Sequence, residues 1–238
     1  MKKSVLLFSG GPDSTSAAYL LRKEVQLMLL TMHEPQRTRN HSEVGSATRI
    51  AQSLGLEHRI IDLASTNQLF DDVERITIGL GGGNRPGKDV TLVGFTKEVC
   101  VAPGKNEAPL SLSFLHISAA IYAAAHGMKE VIWGVHKDDD ISGGWIDSYL
   151  SQFNKLVAIA GVEVSLRAPF MKYSNGQLLT AGFAAGAPLD LTFSCLIRTD
   201  GVHCGVCHGC KERAVAFRQA DITDGAVMAD IFIKSAQA

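Results

Sequence analysis

The sequence has no excess of charge of either sign, because 23 lysine and arginine residues stand against 24 aspartate and glutamate residues, a net charge of -1. Proteins that bind duplex nucleic acid or anionic membranes through electrostatics carry a basic excess, so neither class is favoured. Aromatic residues are also scarce, at 7%, which argues against a surface on which unpaired bases stack. Nucleic acid is therefore not expected as a partner.

Long apolar runs are absent as well. No stretch approaches the roughly 20 apolar residues that cross a bilayer, and the apolar run near the first residue is too short for a secretory signal. We therefore expect a cytoplasmic protein that does not enter membranes. With 238 residues, of which 46% are hydrophobic, the chain can form one large domain, or one domain with a small appendage, around a sizeable core.

Short apolar runs alternate with helical stretches along most of the chain. Repeated strand and helix units with apolar strands predict an α/β fold, in which helices cover both faces of an open parallel sheet. A glycine-rich segment at residues 79–88 is expected to be an exposed, partly disordered loop. The predicted strands are residues 4–8, 26–32, 58–63, 130–135 and 162–168, and the predicted helices are residues 15–21, 43–54, 113–126 and 146–160.

The first predicted strand ends in a glycine turn from which the first helix begins. In an open parallel sheet, ligands bind beyond the carboxyl ends of the strands, and this turn occupies that place. Glycines let backbone N–H groups approach an anion, and a helix start adds free amides and a positive dipole end. An ordinary turn with an Asp or Ser cap would have the same composition. The candidate phosphate-binding residues are Ser9, Gly10, Gly11, Pro12, Asp13, Ser14 and Thr15.

Four of the five cysteines lie close together near the C-terminus, three of them at CxxCxxC spacing. In a reducing compartment this spacing favours metal binding over disulfides. Four thiolates complete a closed tetrahedral zinc site with a structural role, and an iron–sulfur cluster is the chief alternative. His203 and His208 are expected to lie outside the ligand set, and Cys100 is expected to be a free core thiol. The predicted ligands are Cys195, Cys204, Cys207 and Cys210.

Motifs at both ends of the chain resemble those of a known enzyme family. The turn Ser-Gly-Gly-Pro-Asp-Ser at residues 9–14 resembles the PP-loop of the ATP pyrophosphatases. The segments Ala-Pro-Leu-Asp-Leu-Thr-Phe-Ser-Cys at 187–195 and Cys-Gly-Val-Cys-His-Gly-Cys-Lys-Glu-Arg-Ala-Val-Ala-Phe at 204–217 resemble the terminal signature of 7-cyano-7-deazaguanine synthase. By resemblance over most of its length, the chain is identified as a divergent member of that family.

The resemblance implies a fold and a reaction. The fold is of the adenine nucleotide alpha hydrolase type, with a PP-loop domain at residues 1–190 and a zinc module at 191–238, in a homodimer. With ATP and Mg²⁺, the enzyme would adenylate the carboxylate of 7-carboxy-7-deazaguanine. Ammonia would then give an amide, and a second ATP-driven step would dehydrate the amide to a nitrile. Adenylation supplies a good leaving group, while loop amides and magnesium neutralise the departing pyrophosphate.

The resemblance also implies roles for individual residues. The candidate catalytic residues are Asp13 and Ser14 of the glycine turn and Lys172, whose charge would steady the phosphates. The acidic run at residues 138–140 follows a predicted strand and could hold magnesium or a substrate amine, although a solvated acidic loop is the more ordinary interpretation. The residues implied to contact the substrate are Ser142, Trp145 and Asp147.

The middle of the chain departs from the family pattern. Pro-Gly-Lys-Asn at 103–106 has lysine for arginine and stands too far from the next predicted helix, so residues 109–114 are a second candidate for that element. The segment at 142–148 keeps an aromatic residue and an aspartate but lacks the family's Cys-Arg pair. We therefore expect the changes at residues 105–113 and 144–148 to alter the acceptor pocket more than the ATP site.

Three other functions stay open at this point. A relative could stop at the amide, or could join the activated deazaguanine to an amine of another molecule such as a protein. A sulfur-transferring tRNA enzyme would carry an iron–sulfur cluster on the same cysteines. A non-catalytic scaffold would bind ATP without releasing pyrophosphate. The fold does not separate these functions, because chemistry depends on the site.

Overall fold

The computed structural model describes residues 2–33, 40–63, 76–78, 90–92, 110–139 and 144–226 of the chain. Strands alternate with helices, as the sequence predicts, and two short 3-10 helices lie at Lys137–Asp139 and Leu189–Leu191. The strands are β1 (Lys3–Leu7), β2 (Gln26–His33), β3 (Glu57–Asp62), β4 (Ile76–Ile78), β5 (Val90–Leu92), β6 (Glu130–Ile132) and β7 (Ser165–Arg167). The α-helices are α1 (Pro12–Leu21), α2 (Asn40–Leu54), α3 (Leu110–Ala125), α4 (Trp145–Ile159), α5 (Asn175–Ala184) and α6 (His208–Gln219).

Strand β1 lies at the centre of a five-stranded parallel sheet with the order β3-β2-β1-β6-β7. The chain builds outward from β1 on one side through β2 and β3, and then crosses to the other side through β6 and β7. A sheet whose strand order reverses in this way opens a crevice beyond the carboxyl ends of the two strands at the reversal. The segments that follow β1 and β6 therefore border the crevice.

Both faces of the sheet are buried, which confirms the predicted fold class. Leu6 and Leu29 pack with α1, α2, α5 and α6 on one face. Val5 and Leu30, their neighbours along the strands, pack with α3 and α4 on the other face, because successive side chains of a strand point in opposite directions. Within the described ranges, the helices are too short or too polar to cross a membrane.

The predicted elements are present, with shifted ends. Strand β6 stops at Ile132, three residues before its predicted end. The chain then passes close to α1 at Gly134, where a Cβ would lie only 3.4 Å from the Cα of Ser14. His136 then returns to the sheet edge through a single bridge to Phe170. The antiparallel pair β4 and β5 and the helices α5 and α6 have no counterpart among the sequence predictions. The segments 79–88 and 103–106 and Cys100 lie outside the described residues.

The C-terminal segment packs directly on the rest of the fold. Phe217 of α6 belongs to the same buried cluster as Phe8 and Leu178. The buried Arg213 guanidinium donates to the backbone oxygen of Leu189 at 2.8 Å and forms a bidentate ion pair with Asp224. These contacts join the two sides of the predicted domain boundary at residues 190 and 191, and the boundary itself stays a prediction.

Candidate active site

The glycine loop, residues 9–14, leaves β1 and starts α1 at the crevice. Gly11 is the N-cap of α1 and makes no side-chain cap, and Pro12 at the first helical position has no N–H group. The amides of Asp13 and Ser14 fall in the first turn, where helix geometry offers no acceptor within the helix. The helix start therefore presents backbone donors and a positive dipole end at the carboxyl end of the central strand.

Gly10 holds the loop in place. Its φ is +75°, and its carbonyl oxygen accepts hydrogen bonds from Phe193 N at 3.0 Å and Ser46 Oγ at 2.9 Å. A Cβ on Gly10 would lie 2.5 Å from Ala47 N, so no side chain fits there. Gly11 differs, because its φ is -79° and its Cβ would meet the movable Ser9 hydroxyl at 3.2 Å and the backbone oxygen of Phe193 at an ordinary 3.7 Å. A side chain at Gly10 conflicts with the fold, whereas one at Gly11 would occupy the space in front of the amides.

Two carboxylates from different elements meet at His136, which follows β6. Nε2 of His136 lies 3.8 Å from Asp13 Oδ1, and Nδ1 lies 3.5 Å from Asp139 Oδ2. The backbone N–H of His136 donates to Asp139 Oδ2 at 3.0 Å, which fixes the carboxylate. The acidic run predicted from the sequence is therefore joined to the glycine loop through a histidine that the sequence analysis did not single out.

The carboxylates are short of compensating charge. Burial raises the pKa of Asp13 to about 6, and burial also raises the pKa of Asp139. Asp13 Oδ1 is buried and has no hydrogen-bond partner in the described part of the chain. Buried carboxylate oxygens without compensating charge suit a hard divalent cation, which would neutralise them and favour their ionised form.

Two cavities meet at this carboxylate pair. The α3-side cavity, of about 360 Å³, is lined by Ser9 and Ser14 of the loop and by residues of β2 and α3. The α6-side cavity, of about 630 Å³, is lined by Gly11, Pro12 and residues of α6, including Lys211. Asp13 and Asp139 belong to the walls of both cavities, whereas Gly10 and Thr15 line neither. Thr15 is fully buried behind the loop.

Aromatic rings form part of the wall of the α3-side cavity and pack behind it. The His116 ring lies 4.7 Å from the Trp133 ring and 5.4 Å from the Tyr149 ring, measured between centroids. Trp145 packs against Trp133 at 6.1 Å, and its indole N–H donates to the backbone oxygen of Asp139 at 3.4 Å. The predicted substrate residue Trp145 therefore lies one ring behind the cavity wall.

The other predicted residues are more dispersed. Lys172 lines a separate surface groove together with Lys137. Asp147 is exposed on the first turn of α4, and Ser142 lies outside the described residues. Asp138 accepts a hydrogen bond from Asn175 N at 2.8 Å, at the start of α5. Asp138 and Asp139 are exposed, as a solvated acidic loop would be, and each carboxylate also accepts a hydrogen bond from a backbone N–H. Asp140 lies outside the described residues.

Three residues of the site were missed in the sequence. His136 stands two residues before the acidic run, and its place two residues beyond Gly134, after a strand, was the available signal. His116 lies in a mainly apolar helix, where a histidine is more often a core residue than a site residue. Lys211 lines the α6-side cavity and lies between the motif cysteines and arginine. Their proximity to the loop depends on contacts between distant segments.

The four predicted cysteine ligands come together and are buried. Their sulfur atoms all lie within 4.8 Å of one another. Backbone N–H groups point at three of them, for example Leu196 N at 3.3 Å from Cys207 Sγ and Arg198 N at 3.4 Å from Cys195 Sγ. Burial by itself would raise the pKa of the Cys204 thiol, but backbone hydrogen bonds lower it to about 7. The cluster can hold one metal ion with thiolate ligands.

The side chains of the two nearby histidines contact residues other than the cysteines. His203 is buried, and its Nε2 accepts a hydrogen bond from Ser194 N at 3.0 Å. His208 pairs with Glu212 one turn along α6, at 2.8 Å. The cluster of candidate metal ligands contains neither residue, as expected from the sequence.

Comparison with known proteins identifies the family. The family described as queuosine biosynthesis protein QueC matches this chain over residues 3–221. The chain belongs to the QueC family. Relatives named 7-cyano-7-deazaguanine synthase include one from Methanothermobacter thermautotrophicus, 28% identical over 93% of this chain and 97% of the relative. Another, from Brucella anthropi, is 30% identical over 96% of this chain and 94% of the relative. The predicted family is confirmed.

A solved structure supports the fold of this QueC family member. The U34-tRNA thiolase NcsA from Methanococcus maripaludis, solved with its 4Fe-4S cluster, aligns with a TM-score of 0.50 at 16% identity. The alignment covers 79% of this chain and 58% of the thiolase. At this identity the likeness concerns the fold alone.

Replacing Asp13 by asparagine should stabilise the folded protein at pH 8. A pKa raised from 3.8 to about 6 means that the ionised carboxylate opposes folding once the pH exceeds the folded-state pKa. Because 36% of the side chain is exposed, solvent screening reduces the gain to about 1 kcal/mol or less. Urea unfolding in magnesium-free buffer should give Asp13→Asn the higher midpoint at pH 8 and no advantage near pH 4.

Asp147→Asn, at an exposed position, controls for the general effect on stability of replacing an aspartate by asparagine. An Asp13→Asn protein that is less stable than the parent at pH 8 would contradict the assignment of uncompensated charge to Asp13.

Proposed function

We propose that this protein adenylates the carboxylate of 7-carboxy-7-deazaguanine with ATP and transfers the activated acyl group to ammonia. The observation that carries the proposal is the start of α1. There, first-turn amides that have no acceptor within the helix, and the carboxylates of Asp13 and Asp139, lie at cavities beyond the central strand. Membership of the QueC family and relatives named 7-cyano-7-deazaguanine synthase support the choice of substrate.

Each part of the site has a role in this reaction. The amides of Asp13 and Ser14 and the hydroxyls of Ser9 and Ser14 would bind the pyrophosphate portion of ATP. Lys211, on the wall of the α6-side cavity, is placed to balance phosphate charge, a role that the sequence analysis gave to Lys172. These donors favour the transition state because they are fixed before charge develops on the departing pyrophosphate.

Asp13 and Asp139 would hold Mg²⁺. The unpartnered Oδ1 of Asp13 and the raised pKa of both carboxyl groups fit a cation that the polypeptide does not supply. Bound there, the ion would neutralise charge on the departing pyrophosphate. His136 would keep the two carboxylates apart and oriented, since it lies between them at 3.8 and 3.5 Å.

We propose zinc for the cysteine cluster. Two sulfur pairs, Cys204 with Cys210 and Cys195 with Cys207, are separated by 3.9 and 4.0 Å. Tetrahedral zinc with bonds of about 2.3 Å requires sulfurs about 3.8 Å apart. A four-iron cluster places its thiolates around the outside of a larger cube of iron and sulfide. The role of zinc would be structural, because four sulfurs leave no open position for a substrate.

The remaining proposals concern the cellular compartment, the oligomeric state and the amine that the enzyme uses. We propose a cytoplasmic homodimer that takes ammonia as the amine. A protein amine is the alternative acceptor, favoured by the altered segment at 144–148. That segment contains Trp145, whose ring packs against Trp133 of the cavity wall. A change there can alter which acceptor is admitted while the glycine loop still activates the carboxylate.

Gly11→Val should abolish pyrophosphate release while the protein stays folded. The valine side chain would enter the space that the anion needs, and loss of even one such donor costs roughly 100-fold or more in rate. The measurement is pyrophosphate release with ATP, magnesium and 7-carboxy-7-deazaguanine, together with a thermal melt.

Two further glycine variants distinguish a blocked phosphate site from a general effect of adding a side chain and from loss of the fold. Gly45→Val adds the same side chain on α2, where a Cβ meets nothing closer than 3.7 Å, and should remain active. Gly10→Ala should lose the fold along with activity. Normal turnover by Gly11→Val would show that the loop does not bind the pyrophosphate.

Elemental analysis should find zinc near one equivalent per chain in a colourless protein. Four thiolates at tetrahedral spacing bind zinc without a redox-active centre. Brown protein purified without oxygen, with iron and sulfide in place of zinc, would instead support the sulfur-transferring alternative.

The mass of the product tests the reaction. The protein is incubated with ATP, magnesium and 7-carboxy-7-deazaguanine, with and without ammonium. We expect AMP, pyrophosphate and the amide, with slow conversion to the nitrile, because the chain departs from the family in the acceptor pocket and not in the loop. Nitrile formation at the rate of a standard synthase would contradict the proposed difference, and ATP binding without pyrophosphate release would indicate a scaffold.

A further inference from the structure

A fully buried histidine of α3, His116, lines the α3-side cavity and has no role in the function proposed above. Its ring is enclosed by Trp133, Tyr149 and Phe153, the last at 5.8 Å between centroids. An apolar side chain would suit such surroundings better, because each buried ring nitrogen needs a hydrogen-bond partner. The hydrogen-bond partners of the two His116 nitrogens therefore indicate whether the residue does more than pack in the core.

Only one of the two nitrogens is satisfied. Nδ1 lies 2.8 Å from the hydroxyl of Tyr149 on α4. Nε2 is buried and has no hydrogen-bond partner among the residues that the structure describes. Leaving a buried polar atom unpaired costs stability. The structure thus holds one side of the imidazole through Tyr149 and leaves the other side without a partner among the described residues.

The tautomer follows from the surroundings. Burial lowers the pKa of His116 to about 3, so the ring is neutral near pH 7 and carries one proton. Tyr149 also shares a side-chain hydrogen bond with Ser113. A phenol donates to an imidazole nitrogen more strongly than it accepts from an imidazole N–H, so Tyr149 donates to Nδ1. The proton then resides on Nε2, which is a donor in need of an acceptor.

The cavity beside His116 suits a planar ligand. Leu112, Leu115 and Met32 give it apolar walls, and Trp133 adds an aromatic ring. Its volume of about 360 Å³ is in the range of small-molecule sites, which combine apolar walls with a few polar groups that fix orientation. The same cavity reaches Asp13 of the glycine loop. A ring bound here would therefore extend toward the groups that bind the phosphates.

We infer that His116 is a specificity-determining residue, whose Nε2–H donates to an acceptor on the edge of a planar, purine-like ring in the α3-side cavity. The inference rests on the proposed function, which supplies two ligands of this chemistry, the adenine of ATP and the 7-deazaguanine. Tyr149 is a positioning residue that holds the tautomer. In the sequence, His116 follows closely after residues 105–113, where this chain departs from its family's pattern.

The test measures the binding of both rings by calorimetry. The probes are 7-carboxy-7-deazaguanine and an ATP analogue that cannot be cleaved between its α and β phosphates. His116→Phe keeps an aromatic ring of similar size and removes the donor, and it should weaken one ligand by about 10-fold or more. The other ligand should change by less than about twofold, so the ligand affected identifies the ring that His116 contacts.

Companion variants separate this role from a structural one. His116→Gln keeps an N–H donor and should recover part of the lost affinity, whereas Tyr149→Phe should weaken the same ligand. His126→Phe makes the same substitution at an exposed position just after α3 and should change neither affinity. In turnover, KM for the affected ligand should rise more than kcat falls, because the interaction is made before the transition state.

Unchanged affinity for both ligands in folded His116→Phe would overturn the inference. If that variant does not fold, wild-type affinities in both His116→Gln and Tyr149→Phe would overturn it equally. The parent protein distinguishes this failure from that of the proposed function. A parent that binds neither ring ligand removes both claims, whereas a parent that binds and turns over normally, with indifferent variants, removes only the role of His116.

Discussion

The carbonyl group of Gly10 is the contact on which the site depends. It accepts hydrogen bonds from Ser46 on α2 and from the backbone of Phe193, just before the cysteine cluster. One backbone oxygen thereby joins the central strand, a helix on one face of the sheet and the C-terminal signature. Because a side chain at Gly10 would collide with α2, this junction requires glycine, and the direction of the first-turn amides follows from it.

The site combines groups that are costly in the absence of ligand. In the described part of the chain, α1 begins with amides that have no acceptor within the helix, Oδ1 of Asp13 has no hydrogen-bond partner, and Nε2 of His116 is buried without one. Native cores ordinarily satisfy such atoms, so their concentration around two adjoining cavities indicates a surface prepared for an anion, a cation and a polar ring. The folded protein is less stable at these positions, because ligand binding requires donors and acceptors that are not already paired.

Short sequence patterns were sufficient to predict much of the fold and the candidate ligands of the metal site. Apolar strands, the glycine loop and the cysteine spacing all lie in short segments, so their meaning can be predicted from neighbouring residues. The meeting of His116 with Tyr149 could not be predicted in this way, because the two residues are 33 positions apart on different helices. Likewise, the hydrogen bond from Asn175 N, at the start of α5, to the Asp138 carboxylate joins residues that are 37 positions apart.

In the proposed reaction, an oxygen of the substrate carboxylate attacks the α-phosphorus of ATP. Mass spectrometry of the AMP formed from 7-carboxy-7-deazaguanine labelled with oxygen-18 in its carboxylate checks this step. Attack forms the bond from carboxylate oxygen to phosphorus and releases pyrophosphate, and capture by ammonia then breaks the acyl bond to that oxygen. AMP should therefore carry one labelled oxygen per turnover; unlabelled AMP, or ADP as the nucleotide product, would exclude attack by the carboxylate on the α-phosphorus.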